Sequence, residues 1–423
     1  MADTIFSAID IGSSKIATII AIQSQDRDEA RVIGFNSTPS RGVKKGLVVD
    51  IDKVTQSLEE SIEKAERMAG QKITNAVVSV GGPHISALNS RGVVAVADPQ
   101  GEISDTDINR VIEAARAISL STTRQIIEVS PRDFVVDGQE GIKNPIGMSG
   151  VRLEVETHII TASQTNLKNI DRCMNDLGIN NNGFIFAGLA SAEAVLTETE
   201  KELGVVLVDI GGGKTDIAMY IDGSLSYSSS LPVGAKHITN DIAVGLRVSL
   251  DSAEKIKIYV SKQLEEKDRL KKKIDQLSIK DLHLPEIIED FSLKTLIDGI
   301  IAPRIEEMFK LVGDEIAKST FLEHVPSGLV VAGGGALTVG VTQIAKKSIG
   351  LPVHIGIPGN ITGLIDEIID PQYATTVGLI LYGQKNIINS KEPGFKNFNK
   401  ILKDFTLTGS LDKAKNFFKQ FIP

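Results

Sequence analysis

Two six-residue segments of this chain have the residue types needed to hold a polyphosphate, and they share one pattern. Asp10-Ile11-Gly12-Ser13-Ser14-Lys15 returns 199 positions later as Asp209-Ile210-Gly211-Gly212-Gly213-Lys214, with Thr215 directly after the second copy. Glycine and serine let backbone N–H groups approach an anion, and successive N–H groups in a turn form an anion-binding nest. The aspartates Asp10 and Asp209 can hold Mg2+ through water, because that ion gives up its hydration shell reluctantly. Two such turns facing each other would grip a polyphosphate from both sides. A third segment, Gly333-Gly334-Gly335-Ala336, follows the apolar run Leu329-Val330-Val331-Ala332 and precedes a helical stretch at 339–348. A glycine-rich turn between strand and helix brings backbone close to a ligand and points helix N–H groups at it. Alone it reads equally well as a plain turn; beside the duplicated segments it reads as a nucleotide contact.

The elements that must position these turns follow from the apolar pattern. Ile5-Phe6-Ser7-Ala8-Ile9 and Val205-Val206-Leu207-Val208 precede the two copies, and Ile16-Ala17-Thr18-Ile19-Ile20 and Ile217-Ala218-Met219-Tyr220 follow them. Each copy is therefore a strand, a tight turn and a second strand. Spacing predicts a helix over 52–70 with Val54, Leu58, Ile62, Ala65 and Met68 on its inner side, then a buried strand over 76–80. From about 84 to 162 the texture changes to short alternating strands around one helix at 105–118, opened by Ser104, which reads as an α+β insert. A helix at 166–177, a strand at 184–187 and a helix at 191–200 lead into the second copy. Further on come a helix over 251–273, increasingly charged and solvated toward its end, and a helical pair at 293–309 and 305–319 with Pro303 inside the first. Residues 386–407 are polar and poorly periodic, as a linker would be.

Composition narrows the function classes. The chain has 423 residues, which suggests two or three domains, and a net charge of −8, which argues against a chain-wide nucleic-acid footprint. Its one cysteine, Cys173, leaves no disulfide framework and no Cys-based zinc site, and its six histidines show no metal-ligand spacing. The N-terminal residues lack the basic region of a signal peptide, and no apolar run reaches the roughly 20 residues that span a bilayer.

The last dozen residues carry a separate signal. Leu411, Ala414, Phe417, Phe418, Phe421 and Ile422 recur at helical spacing, with Lys413, Lys415 and Lys419 off that face. Residues 391–423 contain seven lysines against three acidic residues, a local charge of +4 on an acidic chain. Bulky apolar residues on one side and lysines on the other suit a helix lying in an anionic membrane surface. A large apolar side chain contributes about 1.5–3 kcal/mol when fully buried and a lysine near an anionic surface about 1 kcal/mol. Partial burial and helix ordering offset much of that, so attachment is weak for one molecule and strengthened by polymerisation. The other reading is a terminal helix docked on its own domain.

The two hairpins and the glycine turn resemble the superfamily of actin, sugar kinases and DnaK-type chaperone ATPases. Within it the chain is similar to the FtsA family of actin-like bacterial cell-division proteins over essentially its whole length. The specific stretches are Val136-Asp137-Gly138-Gln139-Glu140-Gly141-Ile142, Asn144-Pro145-Ile146-Gly147-Met148-Ser149-Gly150, Phe186-Ala187-Gly188-Leu189-Ala190-Ser191-Ala192 and Leu203-Gly204-Val205.

The resemblance implies an α/β actin-like ATPase fold, with two duplicated halves around a nucleotide cleft, a five-stranded sheet in each half and an inserted α+β subdomain. Its subdomains would be IA (1–83 and 362–385), IC (84–163), IIA (164–238 and 300–361) and IIB (239–299). A linker (386–410) and a C-terminal amphipathic helix (411–423) would follow. The resemblance further implies ATP with Mg2+ as ligands, the ribose and adenine held by Glu254, Lys257 and Ser261 in Ser252-Ala253-Glu254-Lys255-Ile256-Lys257 and beyond. It implies polymerisation at the cytoplasmic face of the inner membrane, docking of the tail of the tubulin-like protein FtsZ near Arg304, and recruitment of later division proteins. Two departures imply slow turnover at most. Ala187 stands where chaperone-type relatives place a water-orienting acid, help worth about 10²–10⁴-fold. Lys214 stands where relatives often carry a small hydroxyl residue. A small-molecule kinase, a chaperone ATPase and a pilus-assembly scaffold are rival readings on the same fold. No catalytic base constellation supports the kinase, and the chain beyond the core is too short for a peptide-binding domain. The 144–150 stretch and the amphipathic tail set it apart from the pilus-type scaffold.

Overall fold

A computed structural model describes residues 4–23, 30–98, 100–265, 282–286, 292–364 and 366–389. The membrane face expected at Leu411, Phe417, Phe418, Phe421 and Ile422, the linker after 389 and the charged stretch from 266 to 273 lie outside the described residues.

The chain forms two compact units. One is built from Met1–Ser90, Ile118–Arg132 and Glu156–Gly383, the other from Arg91–Ala117, Asp133–Val155 and the described residues from 384 on. The first unit holds two sheets of like plan. In one, the strands run in the order Asn180–Phe186, Asn75–Val80, Thr4–Ile11, Lys15–Gln23, Arg31–Pro39, Thr362–Gly363. In the other the order is Ser224–Leu231, Thr215–Ile221, Val205–Ile210, Leu329–Ala332, Val353–Ile355. Each sheet is a three-stranded antiparallel meander extended by two parallel strands, so the sequence duplication is a structural one. The first sheet exceeds the expected five strands because Thr362 and Gly363 run parallel beside Arg31 and Val32.

Two apolar cores support this plan, the first joining the first sheet to one face of the second through Val205, Leu207, Ala218 and Val330, and the second lying on the other face of the second sheet. The first gathers Ile9, Ile16, Ile19, Leu58, Ile160 and Phe186, and the second Val206, Val208, Ile217, Ile305 and Phe309. The helix Ile51–Ala69 covers the first sheet, capped by the Asp50 carboxylate on the Lys53 N–H and closed by Gly70 in the left-handed region. Val54, Leu58, Ile62 and Ala65 are buried as the spacing predicts, but Met68 is 52% exposed. Gly34 has no side chain, which lets the helix backbone close on the strand at Ala65 and Ala69, so Ala69 takes the inner place in the last turn.

The helices near the second hairpin depart from the periodic reading. In place of one helix over 191–200, Ala187–Val195 ends at Leu196, whose backbone is extended. A new helix, Glu198–Leu203, then starts from a capping box between Thr197 and Glu200. In place of a helical pair, Leu293–Leu296, a π turn at Ile297–Ile301 and Ala302–Ile316 form one run. Pro303 has no N–H and its ring crowds the carbonyl four residues back. The widened turn before it, with Ala302 N–H bonded to Ile297 O, absorbs that conflict without breaking the helix. The helix Ala374–Asn389 takes the first four residues of the expected linker.

The inserted segment contributes a four-stranded sheet in the order Ser86–Ala95, Arg152–Ser163, Arg124–Val136, Gln139–Ile142. In the second unit, the helix Asp105–Arg116 begins at Ser104, whose N–H and hydroxyl both donate to Asp107 Oδ2, at 3.1 and 2.7 Å. In the first unit, the strand Ser224–Leu231 presents alternate serines. Ser224 Oγ donates to Arg132 O, Ser226 Oγ accepts from Arg132 Nε, and Ser228 Oγ lies 2.8 Å from His158 Nε2. His158 is buried, with Nδ1 2.6 Å from Asn89 Oδ1. Burial, followed by the Arg132 guanidinium, lowers its pKa to about 4.

A histidine whose folded pKa lies below its unfolded one keeps its full contribution above the unfolded value and loses it as pH falls toward the folded value. From pH 7 to 5 this histidine should cost the fold about 2 kcal/mol. Urea unfolding of His158→Gln should show that much less loss over the same interval, and a loss equal to the parent's refutes the assignment.

Candidate functional site

The two hairpins bring their turns face to face. Each turn is closed the same way, Gly12 N–H on Lys15 O at 3.0 Å and Gly211 N–H on Lys214 O at 2.9 Å. A Cβ on Gly212 would overlap the Ser14 hydroxyl, and one on Gly213 would lie 2.9 Å from Ser13 Oγ. Here glycine is required by space. The Gly12-Ser13-Ser14 and Gly211-Gly212-Gly213 turns thus lie close against each other. Ser13 is fixed by Gly46 N–H donating to its hydroxyl at 2.9 Å and by Lys236 Nζ donating to its carbonyl at 2.6 Å.

The arms of the second hairpin are buried along their whole length, Val205–Ile210 and Thr215–Ile221 alike. Buried carboxylates need hydrogen-bond partners. Asp209 Oδ2 accepts from the hydroxyls of Ser191 and Thr375, the latter at 2.9 Å. Asp10 Oδ1 accepts from Ser79 Oγ at 2.6 Å, and Ser79 Oγ also takes the Ile11 N–H at 3.2 Å. Burial raises the Asp10 pKa despite Ser79 and the nearby ammonium groups. These bonds engage one oxygen of each aspartate and leave the other for a hydrated cation, so the pair fits Mg2+ held through water. Thr215, just past the second turn, spends its hydroxyl on Val233 O at 2.8 Å.

The glycine turn closes on the same aspartate. Gly333 has a φ of 80°, and a Cβ there would collide with Asp209 Oδ1. Gly333 N–H donates to Pro371 O at 3.0 Å, which ties the turn to the segment carrying Gln372 and Tyr373. Gly334, Gly335 and Ala336 form a short 3-10 turn, with Gly335 packed against Ile210. Lys15 Nζ donates to Gln372 Oε1 at 2.8 Å and lies 4.0 Å from the Tyr373 ring centre. Burial brings its pKa down to about 8, against the pull of Asp10, Asp370 and Asp209.

The three residues expected at the adenosine side share one face of the helix Leu250–Glu265. Glu254 Oε2 takes Lys257 Nζ at 2.8 Å, and both meet the Thr239 hydroxyl, at 2.5 and 3.0 Å. One turn on, Ser261 Oγ accepts the Val339 N–H at 3.1 Å, binding this helix to the loop after the glycine turn. Arg304 stands apart near the start of Ala302–Ile316, its Nε 2.5 Å from Asp241 Oδ2 and its Nη1 paired with Glu307.

Several participants carry no signal in the local sequence. Ser79, Ser191, Thr375, Gln372 and Lys236 arrive from distant segments, and nothing in their spacing marks them. Asp216 follows Lys214 at two residues and could have been noticed as a charge inside an apolar strand. Its carboxylate pairs with Lys214 Nζ and accepts from Ser230 Oγ at 2.5 Å.

Comparison with known proteins decides the family. The profile described as "SHS2 domain inserted in FTSA" matches residues 82–161, and that described as "Cell division protein FtsA" matches residues 206–378. The cell division protein FtsA of Borreliella burgdorferi is 38% identical over 403 residues, covering 95% of this chain and 94% of that protein. That of Pseudomonas aeruginosa is 38% identical over 375 residues, covering 89% and 88%. The chain belongs to the FtsA family. Its role therefore lies in bacterial cell division, and the inserted segment is the FtsA-type domain. FtsA of Bacillus subtilis is 35% identical and covers 96% of the chain and 90% of its own length.

Among solved structures, a PilM–PilN type IV pilus biogenesis complex superposes with a TM-score of 0.61 at 15% identity, covering 90% of this chain and 98% of that one. MreB5 of Spiroplasma citri bound to AMPPNP gives 0.52 at 14%, covering 91% and 98%. At such identities the likeness is one of fold, the actin-like ATPase fold, and the pilus-type reading gains nothing further from it.

Adjacent threonines offer a test of the Asp209 cradle. Thr375 donates to Asp209, whereas Thr376 is buried with no hydrogen-bond partner among the described residues. Thr375→Val should destabilise by about 1.5–3 kcal/mol, while Thr376→Val should be neutral or stabilising. Denaturant midpoints of the two variants check this, and equal effects would contradict the described bonds.

Proposed function

We propose that this FtsA-family chain binds ATP between its two hairpin turns and assembles into filaments on the inner face of the cytoplasmic membrane. There it anchors FtsZ and brings later division proteins to the site. The observation that carries the nucleotide reading is the pair of facing turns whose glycines have no room for side chains, closed by a glycine turn against Asp209. The backbone N–H groups of 13–14 and 212–213 would take the phosphates, in turns that the Gly12 and Gly211 N–H groups close, and Glu254, Lys257 and Ser261 the ribose and base. Gly333 to Ala336 would run beside the nucleotide. Mg2+, when bound, would neutralise phosphate charge from its place beside Asp10 and Asp209 through water. MreB5, of the same fold, has been solved with AMPPNP.

Turnover is slow in this reading. Ala187 begins its helix without a carboxylate to orient water, and both oxygens of Asp216 are engaged, by Lys214 and by Ser230. ATP then acts chiefly as a ligand that stabilises the closed, polymerising form. Arg304 would meet the acidic FtsZ tail, exchanging Asp241 or Glu307 for a peptide carboxylate. Among the described residues no helix is long and apolar enough to cross a membrane. The amphipathic residues from Leu411 to Ile422 would supply peripheral attachment.

Co-sedimentation with anionic liposomes and ATP tests the tether. The full chain should pellet and carry FtsZ down, and a chain ending at Ser410 should leave both in solution. If both chains stay soluble at low salt, the anchor reading is wrong and only the family and fold stand. Nucleotide binding should also depend on pH through Lys15, which keeps its charge below about 8 in the free protein. ATP affinity should fall as pH rises from 7 to 9, and Lys15→Arg should flatten the fall. A slope unchanged in that variant would remove Lys15 from the phosphate site.

A further inference from the structure

We propose that Lys236 is a positioning residue of the phosphate site: its backbone N–H and its side chain strap the two turns together and present their open N–H groups to the phosphates of a nucleotide. The inference deepens the nucleotide reading above and rests on it.

Both turns are held by their carbonyls, and Lys236 holds one carbonyl in each. Its backbone N–H donates to Gly212 O at 2.9 Å, and its Nζ reaches over to the first turn and donates to Ser13 O at 2.6 Å. The neighbouring carbonyls are taken as well, Gly211 O by the Ala235 N–H at 2.9 Å and Ser14 O by the Ser40 N–H at 3.0 Å. Of these donors only the Lys236 ammonium crosses from one half of the site to the other. Residues 234–236 can come this close because the first of them is glycine. A Cβ on Gly234 would lie 2.5 Å from Gly211 O and 2.8 Å from Gly212 O.

The direction of the peptide units gives this strap its use. In a trans peptide the C=O and the N–H point opposite ways, and none of these peptides is cis. Drawing Ser13 O toward Lys236 therefore turns the Ser14 N–H away from it. The same holds for the Gly213 N–H behind Gly212 O and for the Gly212 N–H behind Gly211 O. Those N–H groups have no acceptor among the described residues. Open N–H groups on successive residues of a turn are what an anion nest requires. The bond from an ammonium to a carbonyl is charge-assisted and so stronger than a neutral one. Holding both turns at one spacing before the anion arrives spares part of the ordering that binding would otherwise cost. Lys236 is itself exposed, and a surface substitution seldom disturbs a fold much, so the side chain can be replaced with the chain still folded.

Equilibrium dialysis of labelled ATP and of labelled adenosine against the full chain, both with Mg2+, decides the matter. Lys236→Met should weaken ATP binding about tenfold and change adenosine binding by less than about twofold, because adenosine has no phosphate for the turns to hold. Lys236→Arg, which keeps a charged donor of similar reach, should return ATP binding to within about threefold of the parent. A Lys236→Met chain that binds ATP as tightly as the parent overturns the inference and leaves the nucleotide reading intact. So does a loss that falls equally on adenosine, the mark of a disturbed fold, and so does a loss that Lys236→Arg fails to reduce. A parent that binds no ATP removes the nucleotide reading, and the inference with it.

Discussion

The centre of this molecule is governed by charges held where water has little access. The arms of the second hairpin are buried from end to end, yet they carry Asp209 and Asp216, and Lys214 in the turn between them is only 13% exposed. A buried charge left without a partner is among the costliest defects a fold can carry, and breaking a buried pair by removing one partner typically costs several kcal/mol. The surroundings answer that demand point by point. Ser191 and Thr375 come to Asp209, Ser230 to Asp216, and Asp216 to Lys214. Because these partners come from separate segments, satisfying the charges also fixes the mutual position of the helix Ala187–Val195, the strand Ser224–Leu231 and the helix that begins at Ala374.

Around that centre the fold is economical. A three-stranded meander with two parallel additions is built twice, and one apolar core is shared by the two sheets while a second covers the other face of the second sheet. The irregular features mark where regular structure would conflict with side chains. The π turn precedes Pro303, and the helix break at Leu196 makes room for the Thr197 cap. Family membership places this architecture in bacterial cell division. The inserted domain at 82–161 separates it from actin-like proteins that share only the sheet plan.

How far the sequence foretold this depended on whether a signal was local. The duplicated hairpins were legible because a strand, a glycine turn and a strand carry their own periodicity and repeat it. The helices at 51–69 and 105–116 were legible from apolar spacing and caps, within a residue or two. The hydroxyl donors were not, since Ser79, Ser191 and Thr375 are ordinary residues in their own neighbourhoods and gain meaning only from what folds against them. Lys214 stood out as an unusual residue in its motif, but its direction across Gly46 to Gly81 depends on two glycines far away in the chain. Met68 was misplaced because the inner face of a helix end is set by how closely its neighbour approaches, which here is decided by Gly34.

The alternate serines of Ser224–Leu231 have a mechanical consequence. Their hydroxyls meet Arg132, His158 and Gly82 in fixed order along the strand. Side chains on a strand alternate, so a slip of one residue would offer Leu225, Tyr227, Ser229 and Leu231 to those same partners. The shortest slip that returns serines to most of them is two residues, about 6.8 Å. An apolar seam could creep by fractions of that distance at little cost. This seam is keyed like a toothed rail, so gradual sliding along it is barred while bending across it is not.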